Sequence, residues 1–407
     1  MFDIMYKFSL NTDNNFKQEI TMKKILSVFL FLIAFCIFTT HLKPVKIKTL
    51  ANDALNVSSN SAILTDFNSG EVIYKKNEKE HLPIASMCKI MTLLLCFEEL
   101  ENQNLSLDEN IIVSENASSM GGSQVFLEAN KQYKVNELIK SIVVASANDA
   151  CVAMAERICG SESAFVYKMN EKCTELGLND TRFSNCTGLP KPEQYSCASD
   201  VSKMFRQLLK HNDYFSFSKI WMDKINHESD KYTEISNTNK LIRFYDGCDS
   251  GKTGYTSEAG HCLSASALRN GMRLISVVIK APDSKSRFND VTNMFNFGFA
   301  NYTNKKIIDK NSPLDITVNV CKGKKDIIQA IAKEDFYLFC KKHEKIALDI
   351  DFTPTEVIKA PVKKGEKIGK LYIYKDSVLI KEIDVLSNES IDKQTYFDVI
   401  KNIIDKW

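Results

Sequence analysis

Ser86 and Lys89, in the run "HLPIASMCKIMTLLLCFEEL" of residues 81–100, stand one helical turn apart, which puts a hydroxyl and an amine on one face. That pair suits a serine nucleophile whose proton is taken by a neutral amine. Lysine titrates in water near about 10.4, and burial, a helix N-terminus and any neighbouring cation all favour its uncharged form. In an otherwise apolar helix the ammonium is costly to desolvate, so the features that make Lys89 look misplaced are those a base needs. Ser86 reads as the N-cap of this helix and Met87–Leu100 as its body, with no Gly or Pro inside. Cys88 is a second nucleophile in the same run. Two residues on from Ser86, it points about 200° around the helix, into the core if Ser86 faces a cleft. Spacing alone decides little, because Ser-x-x-Lys recurs at Ser216–Lys219 and Ser390–Lys393, and Ser-x-Asn occurs from Ser114 as well as at Ser146–Asn148.

The surrounding elements separate these pairs. Residues 61–75, "SAILTDFNSGEVIYK", read as two alternating strands around Asn68-Ser69-Gly70. Residues 135–160, "VNELIKSIVVASANDACVAMAERICG", read as two helical segments broken at "SANDA", with Asp149 as a cap and Gly160 as the stop. Ser146 and Asn148 fall on that break. From residue 244 strands return: "FYDGCDSGKTGYT" leads into "AGHCLSASAL", and Arg269-Asn270-Gly271 then joins "MRLISVVIKA" by an Asn-Gly hairpin signal. Residues 284–300 revert to helical spacing through Phe288, Val291, Phe295 and Phe299. Helices flanked by early and late hairpins predict one antiparallel sheet, built from both ends of a domain and covered by helices.

Beyond residue 302 the texture changes to short strands between Gly and Pro turns, in "PLDITVNVCKGK", "KIALDIDFTP" and "APVKKGEKIGKLYIYKDSVLIKEIDVL". A small separate β domain is expected over 302–388, after a domain over 52–301 and a leader over 1–51. In residues 389–407, Phe397, Ile400, Ile403, Ile404 and Trp407 share one helical face, which predicts an amphipathic helix and a candidate anchor to a membrane surface.

At 407 residues, 44% hydrophobic and 26% charged, the chain can bury a large core. Its net charge of +2, with lysines spread along the sequence, gives no basis for binding nucleic acid. Lys23 and Lys24 precede about fifteen apolar residues, roughly 25–39, the length of a signal-peptide core rather than of a full membrane span. Export follows, through a cleaved signal peptide or a retained signal anchor, and Met22 is a second candidate start. Of the twelve cysteines, Cys36 lies in this leader and most others sit in helix-like apolar contexts such as "LLLCFEE". Mostly free, buried thiols are expected. With neither CxxC nor HExxH and six scattered histidines, neither a metal nor an organic cofactor is expected.

"SMCK" at the head of an apolar helix, "SAN" on an interhelical turn and "GKTG" on a strand come in the order of the penicillin-recognising serine acyltransferases, whose motifs are SxxK, SxN and KTG. The chain resembles the low-molecular-mass penicillin-binding proteins, the serine-type D-alanyl-D-alanine carboxypeptidases. The similarity extends to "GGSQVFLEAN", "GLPKPEQYSCASD", "DSGKTGYTSEAGHCLSASA" and "PVKKGEKIGKLYI", and covers residues 52–388. It implies an α/β fold of the β-lactamase and transpeptidase kind: an antiparallel sheet covered by helices, a helical subdomain, and the small C-terminal all-β domain. The resemblance makes Ser86 the nucleophile that forms an acyl-enzyme, Lys89 its general base and Ser146 the proton relay to the leaving D-alanine. Asn148 would hold the substrate amide, and Lys252, Thr253 and Gly254 the substrate's terminal carboxylate, with Lys252 also helping to keep Lys89 neutral. Backbone N–H groups of Ser86 and Tyr255 would form the oxyanion hole. The implied substrates are peptidoglycan stem pentapeptides at the outer face of the cytoplasmic membrane, with β-lactams as covalent inhibitors. One departure is Cys186-Thr187-Gly188, where family members often carry His before the Gly; it bears on local substrate fit.

Three competing functions are weaker or narrower. A class A β-lactamase needs a deacylating Glu, and Glu193 in "KPEQYS" lacks the Glu-x-x-Leu-Asn pattern that resembles those enzymes. A non-catalytic wall-binding protein should have lost a motif residue, and none is lost. Endopeptidase or transpeptidase action on the same peptides differs only in the acyl acceptor.

Overall fold

The computed structural model describes residues 55–404 apart from 229, 230 and 356, so the apolar run of the leader and Trp407 lie outside the described residues. β1 (Ser61–Asp66) and β2 (Val72–Lys76) form the expected N-terminal hairpin. Two small ladders, β3 (Asn110–Ile112) with β4 (Gln132–Lys134) and β5 (Met222–Asn226) with β6 (Tyr232–Ser236), belong to the helical part. β7 (Cys248–Thr256), β8 (Gly260–Arg269) and β9 (Met272–Ala281) complete an antiparallel five-stranded sheet of order β2-β1-β9-β8-β7. Early and late strands thus share one sheet, as expected. Asn270 and Gly271 join β8 to β9 with φ of +48° and +74°, the left-handed pair that a two-residue hairpin turn needs.

Both faces of this sheet are covered, which is why β9 reads as a nearly continuous apolar run. Ile275, Val277 and Ile279 face the core shared with α1 (Lys89–Glu101), α2 (Asn148–Cys159) and α3 (Ala198–Leu208). Leu274 and Val278 face the other way, onto Val291, Met294 and Phe295 of α4 (Ser284–Asn301). Helix α1 is buried from Lys89 to Phe97 without interruption, as a helix surrounded on all sides must be. The eleven cysteines among the described residues are free thiols, and nine of them are buried, packing as small apolar groups.

The C-terminal region has its own core around Ile328, Ala330, Ile373, Ile383 and Val385. β10 (Tyr302–Ile308) pairs with β13 (Phe336–Lys341). A six-stranded sheet runs β14-β16-β17-β12-β11-β15, from β11 (Pro313–Cys321), β12 (Ile327–Ala332), β14 (Leu348–Pro354), β15 (Ile358–Lys359), β16 (Lys367–Lys375) and β17 (Val378–Ser387). β12 and β13 come from a run that the turn signals did not mark. After β17, α5 (Tyr396–Ile404) leaves Tyr396 and Phe397 about four-fifths exposed, at 79% and 81%. Among the described residues no helix is long and apolar enough to cross a membrane.

Candidate active site

Ser86 does not cap α1. It lies in a 3₁₀ turn, Ala85–Cys88, that feeds directly into the helix, and the preceding Ala85 has φ of +47°. The turn is forced by what presses on it. Gly254 of β7 backs onto it so closely that a Cβ there would stand 2.7 Å from the Ile84 carbonyl oxygen and 3.2 Å from Ser86 N. On another side, Gly188 at φ +83° approaches Ala85 so tightly that a Cβ would fall 2.0 Å from its carbonyl oxygen. A side chain at either glycine would displace the turn that carries the serine.

Cys186-Thr187-Gly188 does more than adjust local fit. Three successive carbonyls, of residues 185–187, are held by the 3₁₀ turn and the start of α1: Asn185 O accepts from Cys88 Sγ at 3.3 Å, Cys186 O from Thr92 Oγ1 at 2.7 Å, and Thr187 O from Lys89 Nζ. Cys88 is therefore turned away from Ser86 and fully buried, and burial pushes its thiol far above the usual range. It cannot supply a thiolate.

Lys89 Nζ also donates to Ser86 Oγ at 2.9 Å. On the facing side of the site, Lys252 Nζ donates to Ser146 Oγ at 2.7 Å and to its neighbour's carbonyl, Thr253 O, at 3.3 Å. Both lysines are buried, and among the described residues no acid forms an ion pair with either. Burial lowers both pKa values, and for Lys252 the nearby cations Lys89 and Arg287 push in the same direction. Each amine is thus biased toward neutrality beside a serine hydroxyl.

The break before α2 is sharper than a simple interruption of helix. Residues Ser141–Ala145 form a π-turn, and Ser146 follows in the left-handed region at φ +64°. Strained backbone of this kind costs about 1–3 kcal/mol and persists where packing over-determines it. Asp149 is not the cap of α2: Ala147 stands there without a side-chain bond, and the Asp149 carboxylate instead accepts from Val125 N and Leu127 N, each at 3.1 Å. Gly160 does end the helix, at φ +78°. Asn148 donates Nδ2 to Gly121 O at 2.7 Å, while its buried Oδ1 has no partner among the described residues. An unsatisfied buried acceptor beside two serines is ready for a donor on a bound molecule.

Thr253 Oγ1 donates to Thr238 Oγ1 at 2.8 Å, and Tyr255 is exposed, its ring against His261 at 4.5 Å between centroids. The structure thus gathers Ser86, Lys89, Ser146, Asn148, Lys252, Thr253, Gly254 and Tyr255 from three separate stretches of chain. It leaves Ser216–Lys219 and Ser390–Lys393 on exposed surface. Glu193 is also away from the chemistry, in an exposed ion pair with Arg182 at 2.8 Å. Sequence reasoning missed Arg287. It reaches from α4 to the carbonyls of Gly254 and Cys262 at 3.2 and 3.4 Å, and its buried Nε has no partner among the described residues. A guanidinium behind β7 adds positive charge next to two amines that burial biases toward neutrality; its only sequence signal was an arginine in the first turn of a helix.

Comparison with known proteins identifies the family. The Peptidase S11 family, described as D-alanyl-D-alanine carboxypeptidase, matches residues 47–283, and the C-terminal domain of penicillin-binding protein 5 matches 302–393. D-alanyl-D-alanine carboxypeptidase DacF of Bacillus subtilis is 40% identical over 352 residues, 85% of this chain and 89% of its own. Among solved structures, penicillin-binding protein 5 of Haemophilus influenzae is 27% identical with a TM-score of 0.65, covering 83% of this chain and 98% of that one. The peptidoglycan synthesis regulatory factor PBP3 of Streptococcus pneumoniae is 26% identical with a TM-score of 0.72, covering 83% of this chain and all of that one, 100%. The chain belongs to the D-alanyl-D-alanine carboxypeptidase family, the low-molecular-mass penicillin-binding proteins, and is a serine-type peptidase of the transpeptidase and β-lactamase fold.

Proposed function

We propose that the protein is exported and removes the terminal D-alanine from peptidoglycan stem pentapeptides through an acyl-enzyme on Ser86. The observation that carries this reading is the pair of buried lysines, each 2.7–2.9 Å from a serine oxygen and neither in an ion pair with an acid among the described residues. With Lys89 neutral, the Ser86 hydroxyl donates to Nζ, and Lys89 takes that proton as Oγ attacks the carbonyl carbon of the penultimate D-alanine. The C–N bond to the terminal D-alanine breaks, and Ser146 delivers a proton to the departing amine. Water then hydrolyses the ester and restores Ser86. Asn148 Oδ1 accepts from the substrate amide, while Lys252, Thr253 and the backbone at Gly254 hold the terminal carboxylate, with the Arg287 guanidinium close behind β7. The N–H groups of Ser86 and Tyr255 stabilise the oxyanion, each worth about 3 kcal/mol in the transition state. β-Lactams acylate Ser86 by the same attack, with the amine leaving group kept tethered.

The exposed Tyr396 and Phe397 of α5 support an attachment of the C-terminal helix to the membrane surface, and the apolar run after Lys24 supports export. Labelling with a fluorescent penicillin and D-alanine release from a diacyl-D-Ala-D-Ala peptide test the catalytic reading. Both are expected in the wild type and in Cys88→Ala and neither in Ser86→Ala; label retained by Ser86→Ala would overturn it. Co-sedimentation with anionic vesicles tests the helix, and equal binding by a Phe397→Asp variant would remove it.

A further inference from the structure

Phe126 holds a backbone conformation that an aromatic residue rarely takes. Its φ is +62°, in the left-handed region, where a bulky side chain is an outlier. Core packing does not explain the choice of residue. Val125 and Leu127 on either side are buried, whereas Phe126 is 62% exposed. Glycine or asparagine would make the same turn with less strain and would offer less apolar surface to water.

The conformation is imposed from the start of α2, next to the active site. The buried Asp149 carboxylate accepts from Val125 N and Leu127 N at 3.1 Å each, one bond on each side of Phe126. Val125 O accepts from Thr233 Oγ1 at 3.0 Å. The same segment is fastened to Asn148, whose Nδ2 donates to Gly121 O and whose backbone N donates to Ser123 O, each at 2.7 Å. Two adjacent residues at the start of α2 therefore set both the amide beside the serines and an exposed aromatic ring on the strip alongside it. Asp149 is in no ion pair among the described residues, so a buried carboxylate is committed to holding this strip. Strain maintained at such cost, with the ring left in water, points to a contact made outside the chain.

We propose that Phe126 is a specificity-determining contact for the acyl side of the substrate, receiving the methylene stem of the residue that precedes the D-alanyl-D-alanine end. The proposal rests on the carboxypeptidase reading above. An exposed ring of this kind favours a long side chain over a short one, and a gain of several methylenes in an apolar contact is worth about tenfold or more in kcat/KM.

The test compares D-alanine release from two peptides, Nα-acetyl-Nε-acetyl-lysyl-D-Ala-D-Ala and acetyl-glycyl-D-Ala-D-Ala, by the full chain and by Phe126→Gly and Phe126→Leu. The wild type is expected to prefer the lysyl peptide by about tenfold. Phe126→Gly should bring that preference to within about twofold while leaving the glycyl peptide unchanged and melting no lower than wild type. Phe126→Leu should keep most of the preference. A wild type without preference, a Phe126→Gly that keeps it, equal loss on both peptides, or a lower melting temperature for Phe126→Gly would each overturn the proposal. If the wild type releases D-alanine from neither peptide, the carboxypeptidase reading falls and takes this proposal with it.

Discussion

Ser86–Lys89 and Ser216–Lys219 have the same spacing and opposite fates. At the first, the amine is buried, donates to its serine at 2.9 Å and sits on a floor of carbonyls. At the second, the serine donates instead to Asp213 O at 2.6 Å, and the exposed lysine lies 5.7 Å from the centroid of the Phe215 ring. Both stretches are short helical turns, so local conformation does not separate them. Water does. Only the first amine is shut away from solvent, and desolvation is what favours an uncharged amine beside a serine. What makes Ser-x-x-Lys chemical is the enclosure that Gly254, Gly188 and the 185–188 segment build around it.

The largest effect should come from deleting each serine. Ser86→Ala is expected to lower D-alanine release by about 10⁴-fold or more, and Ser216→Ala to leave it within about twofold. Assay of the two variants side by side would break the comparison if their losses were similar. Lys89→Met should slow acylation by penicillin by about 10²–10⁴-fold, measured by stopped-flow with a fluorescent β-lactam.

The same variant sharpens the electrostatic side of the comparison. Burial lowers the pKa of Lys89 in the folded protein, so below about 10.4 the unfolded chain binds the proton more readily than the native one. Stability from this group is fully present above that value and is lost as pH falls through the lowered folded pKa. Wild type minus Lys89→Met, followed by urea unfolding at several pH values, should therefore rise with pH.

Enclosure can also be attacked without touching the motif. Gly188→Ala places a Cβ against Ala85 O and should cost about 3 kcal/mol of stability, with acylation impaired in whatever fraction still folds. Cys88→Ala, which removes only a buried thiol and its weak bond to Asn185 O, should cost about 1–2 kcal/mol and leave penicillin labelling intact.

What could be read in advance follows from which forces are local. The hairpins at 61–76 and 260–281 announce themselves because alternation and Asn-Gly encode them within a few residues. The three motifs could be assigned to a helix start, a helix break and a strand for the same reason. The N-cap reading of Ser86 failed because a distant strand and a distant glycine compress the turn into 3₁₀ form, and nothing nearby in sequence encodes that pressure. Asp149 looked like a cap because acids favour helix starts, but a long-range claim by Val125 and Leu127 prevailed. Arg287 and the carbonyl floor of 185–187 are legible only once α1, α4 and β7 are in place.

The strand order β2-β1-β9-β8-β7 has a consequence for how activity arises in a newly made chain. β1 finds its partner in β9, Ser61 opposite Ile279, and Ser58 N bonds to Asp290 across 232 positions of sequence. Pairings this remote form late, after the loop between them has been closed. A chain emerging from its N-terminus presents Ser86 and Lys89 long before β7 can press on their turn. The enclosure that favours a neutral base is therefore incomplete until β7, more than 160 positions downstream of Ser86 in sequence, is seated against its turn.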